Sequence, residues 1–163
     1  MERIPAEVNY PIFALFLILL VVLFVRKDRF IPLFWPSFIW GFLADTLFVL
    51  FFGSWLKLFH WTRTMPFDFY GSPVWLNFAW LLAMMLFFNF LPKRRDSYHR
   101  LLYLATFALV AALIDLVFHN IGLLQYHHWH PLYRFGMVLI WLQLASWNYM
   151  RLYPAEFAGG PPS

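Results

Sequence analysis

The sequence predicts an all-α protein, a polytopic transmembrane helical bundle of about five spans forming one domain over residues 1–163. Three observations lead there. The chain is 63% hydrophobic and only 12% charged, whereas about a quarter of a soluble domain is charged. Its mean hydropathy is +0.65, so its side chains cannot clothe a water-facing surface. The apolar residues fall in long runs separated by basic or turn-forming segments. Aromatic residues make up 23%, with Phe 21 and Trp 9, and such rings suit the headgroup level of a bilayer.

The first run, residues 10–25, has no ionisable side chain other than Tyr10. At 1.5 Å per residue it reaches about 24 Å, somewhat short of a hydrocarbon core, and it draws on residues from Ala6 onward. The segment before it lacks a positive n-region, and no small-x-small cleavage site follows, so this run is expected to stay in the mature chain. Arg26-Lys27-Asp28-Arg29 is a basic stop. The second span, residues 32–52, carries Gly41 and Asp45, with Pro32 and Pro36 expected in its first turn, where a missing N–H costs little.

Residues 53–72 form the longest connection. Helical spacing of Trp55, Leu58, Phe59 and Thr62 predicts a short interfacial helix. Met65 to Gly71 reads as a turn-rich return through Pro66. The third span covers residues 73–91, with Asn77 and Asn89 near its ends. A second basic loop, Lys93-Arg94-Arg95 to Arg100, precedes the fourth span at residues 101–121. The fifth covers residues 131–152, with Arg134 one turn inside and Gln143 and Asn148 further on. Asn77, Asn89, Gln143 and Asn148 are expected to hydrogen-bond between helices. The tail from Pro154 is expected to be disordered.

Basic residues set the expected orientation. Arg26, Lys27, Arg29, Lys93, Arg94, Arg95, Arg100 and Arg151 share one side, against Arg3, Lys57, Arg63 and Arg134 on the other. The positive-inside rule then puts the N-terminus outside and the C-terminus in the cytoplasm of a cytoplasmic (inner) membrane protein. The formal charge of +4 is spent on topology, so the expected partners are membrane lipids and not nucleic acid. A homo-oligomer or a larger membrane complex is also consistent with so apolar a chain. The absence of cysteine excludes disulfides, thiolate metal ligands and cysteine nucleophiles.

The second and fourth spans share L-x-D-x-x-F, as Leu43 to Phe48 and Leu113 to Phe118, each followed by a glycine, Gly53 or Gly122. The third and fifth spans end in Phe88-Asn89-Phe90-Leu91 and Trp147-Asn148-Tyr149-Met150. A parallel two-helix repeat would place Asp45 and Asp115 at one depth, about 20 Å from the cytoplasmic start of each span.

Those two carboxylates lead the candidate site. An acid at bilayer depth faces the bundle interior, pairs with a cation or carries a proton. Arg134 is the candidate counter-ion. His119 lies four residues after Asp115 and shares its helix face, so the pair suits a carboxylate–imidazole dyad or part of a metal site. Asp45, Asn77, Asp115, His119 and Arg134 are therefore the candidate ligand- or ion-binding set. A divalent metal would draw on Asp115, His119, His127 and His130, although no established zinc spacing such as H-E-x-x-H is present. The bland alternative makes His127, His128 and His130 interface anchors beside Trp129. Haem is disfavoured, since His119 with His60 is the sole pair to consider as axial ligands. No phosphate loop and no G-x-S-x-G elbow occurs, and no catalytic residue is assigned.

The Asp in each of spans two and four, Pro73-x-x-x-Asn77, and Gly122…Tyr126…Trp129-x-Pro131 together resemble an uncharacterised family of small polytopic bacterial (Firmicutes-type) membrane proteins. That resemblance implies four to six spans and supplies no activity. The chain is more distantly similar to the membrane-embedded lycopene cyclases, small repeated helical bundles. Here the Pro-x-Glu motif falls in the tail, at Pro154-Ala155-Glu156, rather than within a span.

The resulting functional expectation is an outer-side polar pocket that binds or moves a small ligand, proton or cation. Two alternatives stay open: a membrane-embedded, metal-dependent enzyme acting on a lipid or isoprenoid, and an accessory subunit of a larger membrane complex.

Overall fold

The structure, a computed structural model, describes residues 8–64, 68–69, 71–93 and 97–157. It is mostly helical. The helices are α1 (Asn9–Phe24), α2 (Lys27–Trp55), α3 (Val74–Phe90), α4 (Ser97–Asn120), α5 (Pro131–Leu152) and the single turn α6 (Pro154–Phe157). Among the described residues, four short strands lie in the connections: β1 (Phe59–Trp61), β2 (Asp68–Phe69), β3 (Ser72–Pro73) and β4 (Leu124–Tyr126). Among the described residues, two helical stretches, Lys27–Trp55 and Tyr98–Asn120, are long and apolar enough to cross a membrane. Helices α1 and α3 are apolar but shorter, and α5 is a continuous helix whose sequence carries Arg134, Gln143, Asn148 and Arg151 among its apolar residues.

Helix α1 is apolar on every face, yet only Tyr10, Ala14, Leu17 and Val21 are buried. Their three- and four-residue spacing is one stripe, and it packs on α3. Helix α3 lies at the centre, touching α1 and α2 and burying Leu81, Leu82, Met84, Met85, Phe87 and Phe88. Helices α4 and α5 pack against each other.

Helix α2 begins at Lys27, so Pro32 and Pro36 sit well inside it rather than in its first turn. A proline at position 36 deprives the Pro32 carbonyl of its intrahelical donor. The Tyr153 hydroxyl supplies a replacement, donating to Pro32 O at 3.1 Å. Beyond the prolines the helix widens into π-turns at Phe38–Leu43 and Val49–Trp55. At Gly41 a Cβ would lie 2.7 Å from Leu81 Cα and from the Trp80 carbonyl oxygen. Only glycine lets α2 approach the backbone of α3 this closely.

The expected interfacial helix is absent, and this reading is corrected. Phe59–Trp61 is a strand paired antiparallel with Leu124–Tyr126, in the register Phe59↔Tyr126, His60↔Gln125 and Trp61↔Leu124. Phe59 and Trp61 are buried while His60 is exposed, the two-residue alternation of a half-buried strand. Lys57 and Arg63 flank the strand with φ of 53° and 54°, a left-handed geometry that breaks any helix through them. Tyr10 ties the ribbon to α1 by donating to Thr62 O at 2.8 Å and Leu123 O at 3.1 Å. Gly122, at φ 78°, ends α4 in the left-handed turn that glycine favours.

The tail reading is also corrected through Phe157. Residues Pro154–Phe157 form α6, held by Glu156, which pairs with Arg29 at 2.7 Å. Arg29 also donates to Asn89 Oδ1 at 3.2 Å, so the basic stop, the end of α3 and the tail are joined. Met65, Pro66, Phe67 and Tyr70 of the expected turn, Arg94 and Arg95 of the basic loop, Arg3 and residues 158–163 lie outside the described residues.

Candidate functional site

Arg134 enters the bundle one turn into α5. His130 caps that helix, its Nδ1 accepting from the Leu132 N–H at 3.2 Å, and Pro131 occupies the first turn. The Arg134 side chain is buried, the residue only 5% exposed. Its guanidinium carbon lies 5.1 Å from the ring centroids of both Phe48 on α2 and Trp80 on α3. Stacked between ring faces, the cation gains a cation–π attraction to each. Arg134 Nε meets Asp115 Oδ2 of α4 at 3.0 Å. The contact is charge to charge, since the Nε–H itself has no aligned acceptor among the described residues.

Asp45 on α2 is the second buried acid, 8% exposed. Its Oδ2 has no hydrogen-bond partner among the described residues. Asp45 and Arg134 line one cavity of about 180 Å3, walled by Trp40, Phe48, Phe52, Trp80 and Trp141. On the other side of Trp80, Asp115 borders a second cavity of about 240 Å3 among α1, α3 and α4, walled by Phe13, Leu17, Leu76, Phe107 and Ile114. Two carboxylates thus flank one guanidinium within apolar walls. With all three ionised, the group carries one uncompensated negative charge.

Asn77 is fully buried but serves a neighbouring network. Its Nδ2 donates to Thr46 Oγ1 at 3.0 Å, its Oδ1 accepts from Ser72 Oγ at 2.6 Å, and Thr46 donates onward to Phe42 O at 2.7 Å. It braces the turn that carries Asp45, and none of these hydrogen bonds reaches Asp115 or Arg134.

His119 does not form the expected dyad with Asp115. Its Nδ1 lies 2.9 Å from Leu124 O. A carbonyl only accepts, so Nδ1 is the donor in this contact. The imidazole stacks on Tyr126, centroids 4.2 Å apart and planes 14° apart, and it orients β4. His127, His128 and His130 are exposed, while Trp129 is the loop ring that turns inward, 5.3 Å from Phe59. The proposed metal set of Asp115, His119, His127 and His130 is not brought together. Among the described residues, no three His, Asp or Glu side chains group to hold a metal. His60 projects from β1 into solvent, so no axial pair with His119 forms inside the bundle.

Tyr126, noted in the sequence only within the Gly122…Tyr126…Trp129-x-Pro131 pattern, was not read as a site residue. Its hydroxyl is buried with no hydrogen-bond partner among the described residues. Burial pushes its phenol up to about 12, with Asp115 adding to the rise and Arg134 offsetting it. Phe48 and Trp80 were also missed as walls of the charge cluster. The L-x-D-x-x-F pattern carried a signal for Phe48, which follows Asp45 by three residues.

Comparison of the chain with protein-family models, curated proteins and solved structures finds no match.

Proposed function

We propose that this chain is a five-span protein of the cytoplasmic membrane, N-terminus outside, whose Asp45–Asp115–Arg134 cluster binds or moves one positive charge, a proton or a small cation. The membrane reading is supported by an inverted distribution of polarity. Asp45, Asn77, Asp115 and Arg134 are buried, while Leu15, Val22, Ile31, Leu113 and Ile140 are exposed. Lipid tolerates that surface and water does not. Spans as short as the 16 residues of α1 fit by thinning the bilayer around them while longer neighbours tilt.

The observation that carries the functional reading is the unpartnered Asp45 oxygen beside a pair that is already balanced. Asp115 answers Arg134. Asp45 is the surplus acid, and an apolar enclosure penalises a bare carboxylate strongly. A proton or cation on Asp45 removes that penalty, and its release restores it, which is what a binding or relay site requires. In proteoliposomes carrying an internal pH indicator and an imposed potential, wild type is expected to pass protons or cations. Asp45→Asn and Asp115→Asn are expected to abolish the flux while remaining folded, because either change brings the cluster to neutrality. Flux at the wild-type rate in both variants would remove the cluster from the function.

A second reading is favoured by the cavity that ends at Asp115. Its walls suit a hydrocarbon chain, as an enzyme acting on a lipid or isoprenoid would need. Retention of a defined lipid through purification, lost in Ala83→Phe, supports that reading over the first.

A further inference from the structure

The Asp45 cavity has a donor set that selects among cations. Beyond Asp45 and Arg134, its lining is entirely apolar and largely aromatic, with Trp40, Phe52 and Trp141 beside Phe48 and Trp80. The two flanking indoles are fixed by their own N–H groups, which point elsewhere. Trp40 Nε1 donates to Asn148 Oδ1 at 3.1 Å, and Trp141 Nε1 donates to Trp40 O at 3.1 Å. Their rings meet edge to face, centroids 5.5 Å apart and planes at 84°. They offer the cavity π-surface and no polar ligand.

Hard metal cations take about six oxygen ligands, and this cavity provides one carboxylate. A weakly hydrated organic cation needs one counter-charge and several ring faces. Arg134 already demonstrates the second half of that chemistry on Phe48 and Trp80. The cavity is also bordered by Ile140 and Leu144, which are 64% and 48% exposed, so its mouth is apolar on the outer surface of α5.

From this we infer that the Asp45 cavity binds an organic ammonium ion with an apolar substituent, the charged nitrogen against Asp45 and the carbon groups against Trp40, Trp141 and Phe52. The inference rests on the positive-charge reading above and narrows it to one chemical class. Asp45 supplies the counter-charge, the indoles supply the cage, and the Asp115–Arg134 pair holds Trp80 and Phe48 as the inner wall.

The test uses the full chain in a mild detergent and isothermal titration with tetramethylammonium chloride, repeated with sodium chloride at equal ionic strength. Wild type is expected to bind tetramethylammonium saturably, with sodium failing to compete. Asp45→Asn and Trp141→Leu are each expected to weaken binding about tenfold or more, with helical circular dichroism unchanged. Should Asp45→Asn fail to fold, Trp141→Leu carries the comparison alone. No saturable tetramethylammonium binding, or equal affinity in the folded variants, overturns the inference. Proton or sodium flux that depends on Asp45, without tetramethylammonium binding, also overturns it and leaves the broader reading standing. Loss of both would remove the two together.

Discussion

Replacing Arg134 tests whether the buried pair organises the bundle. Arg134→Met keeps most of the stem volume and removes the charge. The variant loses the 3.0 Å contact to Asp115 and the two ring contacts at 5.1 Å, and it leaves two buried acids without a cation. Breaking one partner of a buried pair costs about 3–5 kcal/mol. Helices persist in the detergent-unfolded reference state, where freed groups find other partners, so the lower end of about 3 kcal/mol applies. Arg134→Met/Asp115→Leu removes both charges and should recover most of that loss, because apolar replacement of a whole buried pair is close to neutral. The double-mutant coupling should therefore be at least about 2 kcal/mol. Unfolding in mixed micelles of rising sodium dodecyl sulfate content, followed by tryptophan fluorescence, measures each corner of the cycle. A coupling below about 0.5 kcal/mol, typical of independent sites, would refute the claim that Asp115 and Arg134 stabilise each other.

Other consequences concern the scaffold and the ribbon. Gly41→Ala drives a Cβ to 2.7 Å from α3 backbone atoms and should cost about 1–3 kcal/mol in the same unfolding assay. Tyr153→Phe removes the donor to the Pro32 carbonyl and should cost about 0.5–1 kcal/mol. With Pro36→Ala already in place, that cost should largely vanish, since the substitution returns a backbone N–H to the carbonyl. Tyr126 gives a pH signature. Its phenol in the folded protein is pushed up to about 12, above the ordinary value near 10, so the unfolded chain loses this proton first. Its contribution is present below about pH 10 and is lost as pH rises through about 12. Tyr126→Phe should show a smaller loss of stability over that window, and an unchanged loss would contradict the buried placement of the hydroxyl.

Helix α5 was legible to the residue, since Pro131 and the apolar run to Leu152 mark both ends. The runs behind α1 and α3 were nearly as plain. The start of α2 was obscured because two prolines argue for a later first turn. The fold tolerates them by π-widening and a hydroxyl donated from Tyr153, 117 residues beyond Pro36 and so invisible to local patterning. The β1–β4 ribbon was missed for a similar reason. Trp55, Leu58, Phe59 and Thr62 fall at helical spacing while Phe59-His60-Trp61 alternates as a strand does, and only the pairing with Leu124–Tyr126 decides between them. At the site, an acid and an arginine in apolar runs have few other partners, so the Asp115–Arg134 contact was readable. The i, i+4 placement of Asp115 and His119 was equally readable but misleading. It fixes a shared helix face, while hydrogen-bond geometry sends the imidazole to Leu124 O.

In the proposed function Asp45, and not the Asp115 bound to Arg134, takes up and releases the positive charge. Infrared difference spectroscopy on reconstituted protein, stepping the pH and then the cation concentration, reads carboxyl protonation and environment directly. Wild type should show an aspartic carboxyl band that responds to these steps. That band should disappear in Asp45→Asn while the Asp115 carboxylate signal stays in place. Identical difference spectra from wild type and Asp45→Asn would contradict the claim.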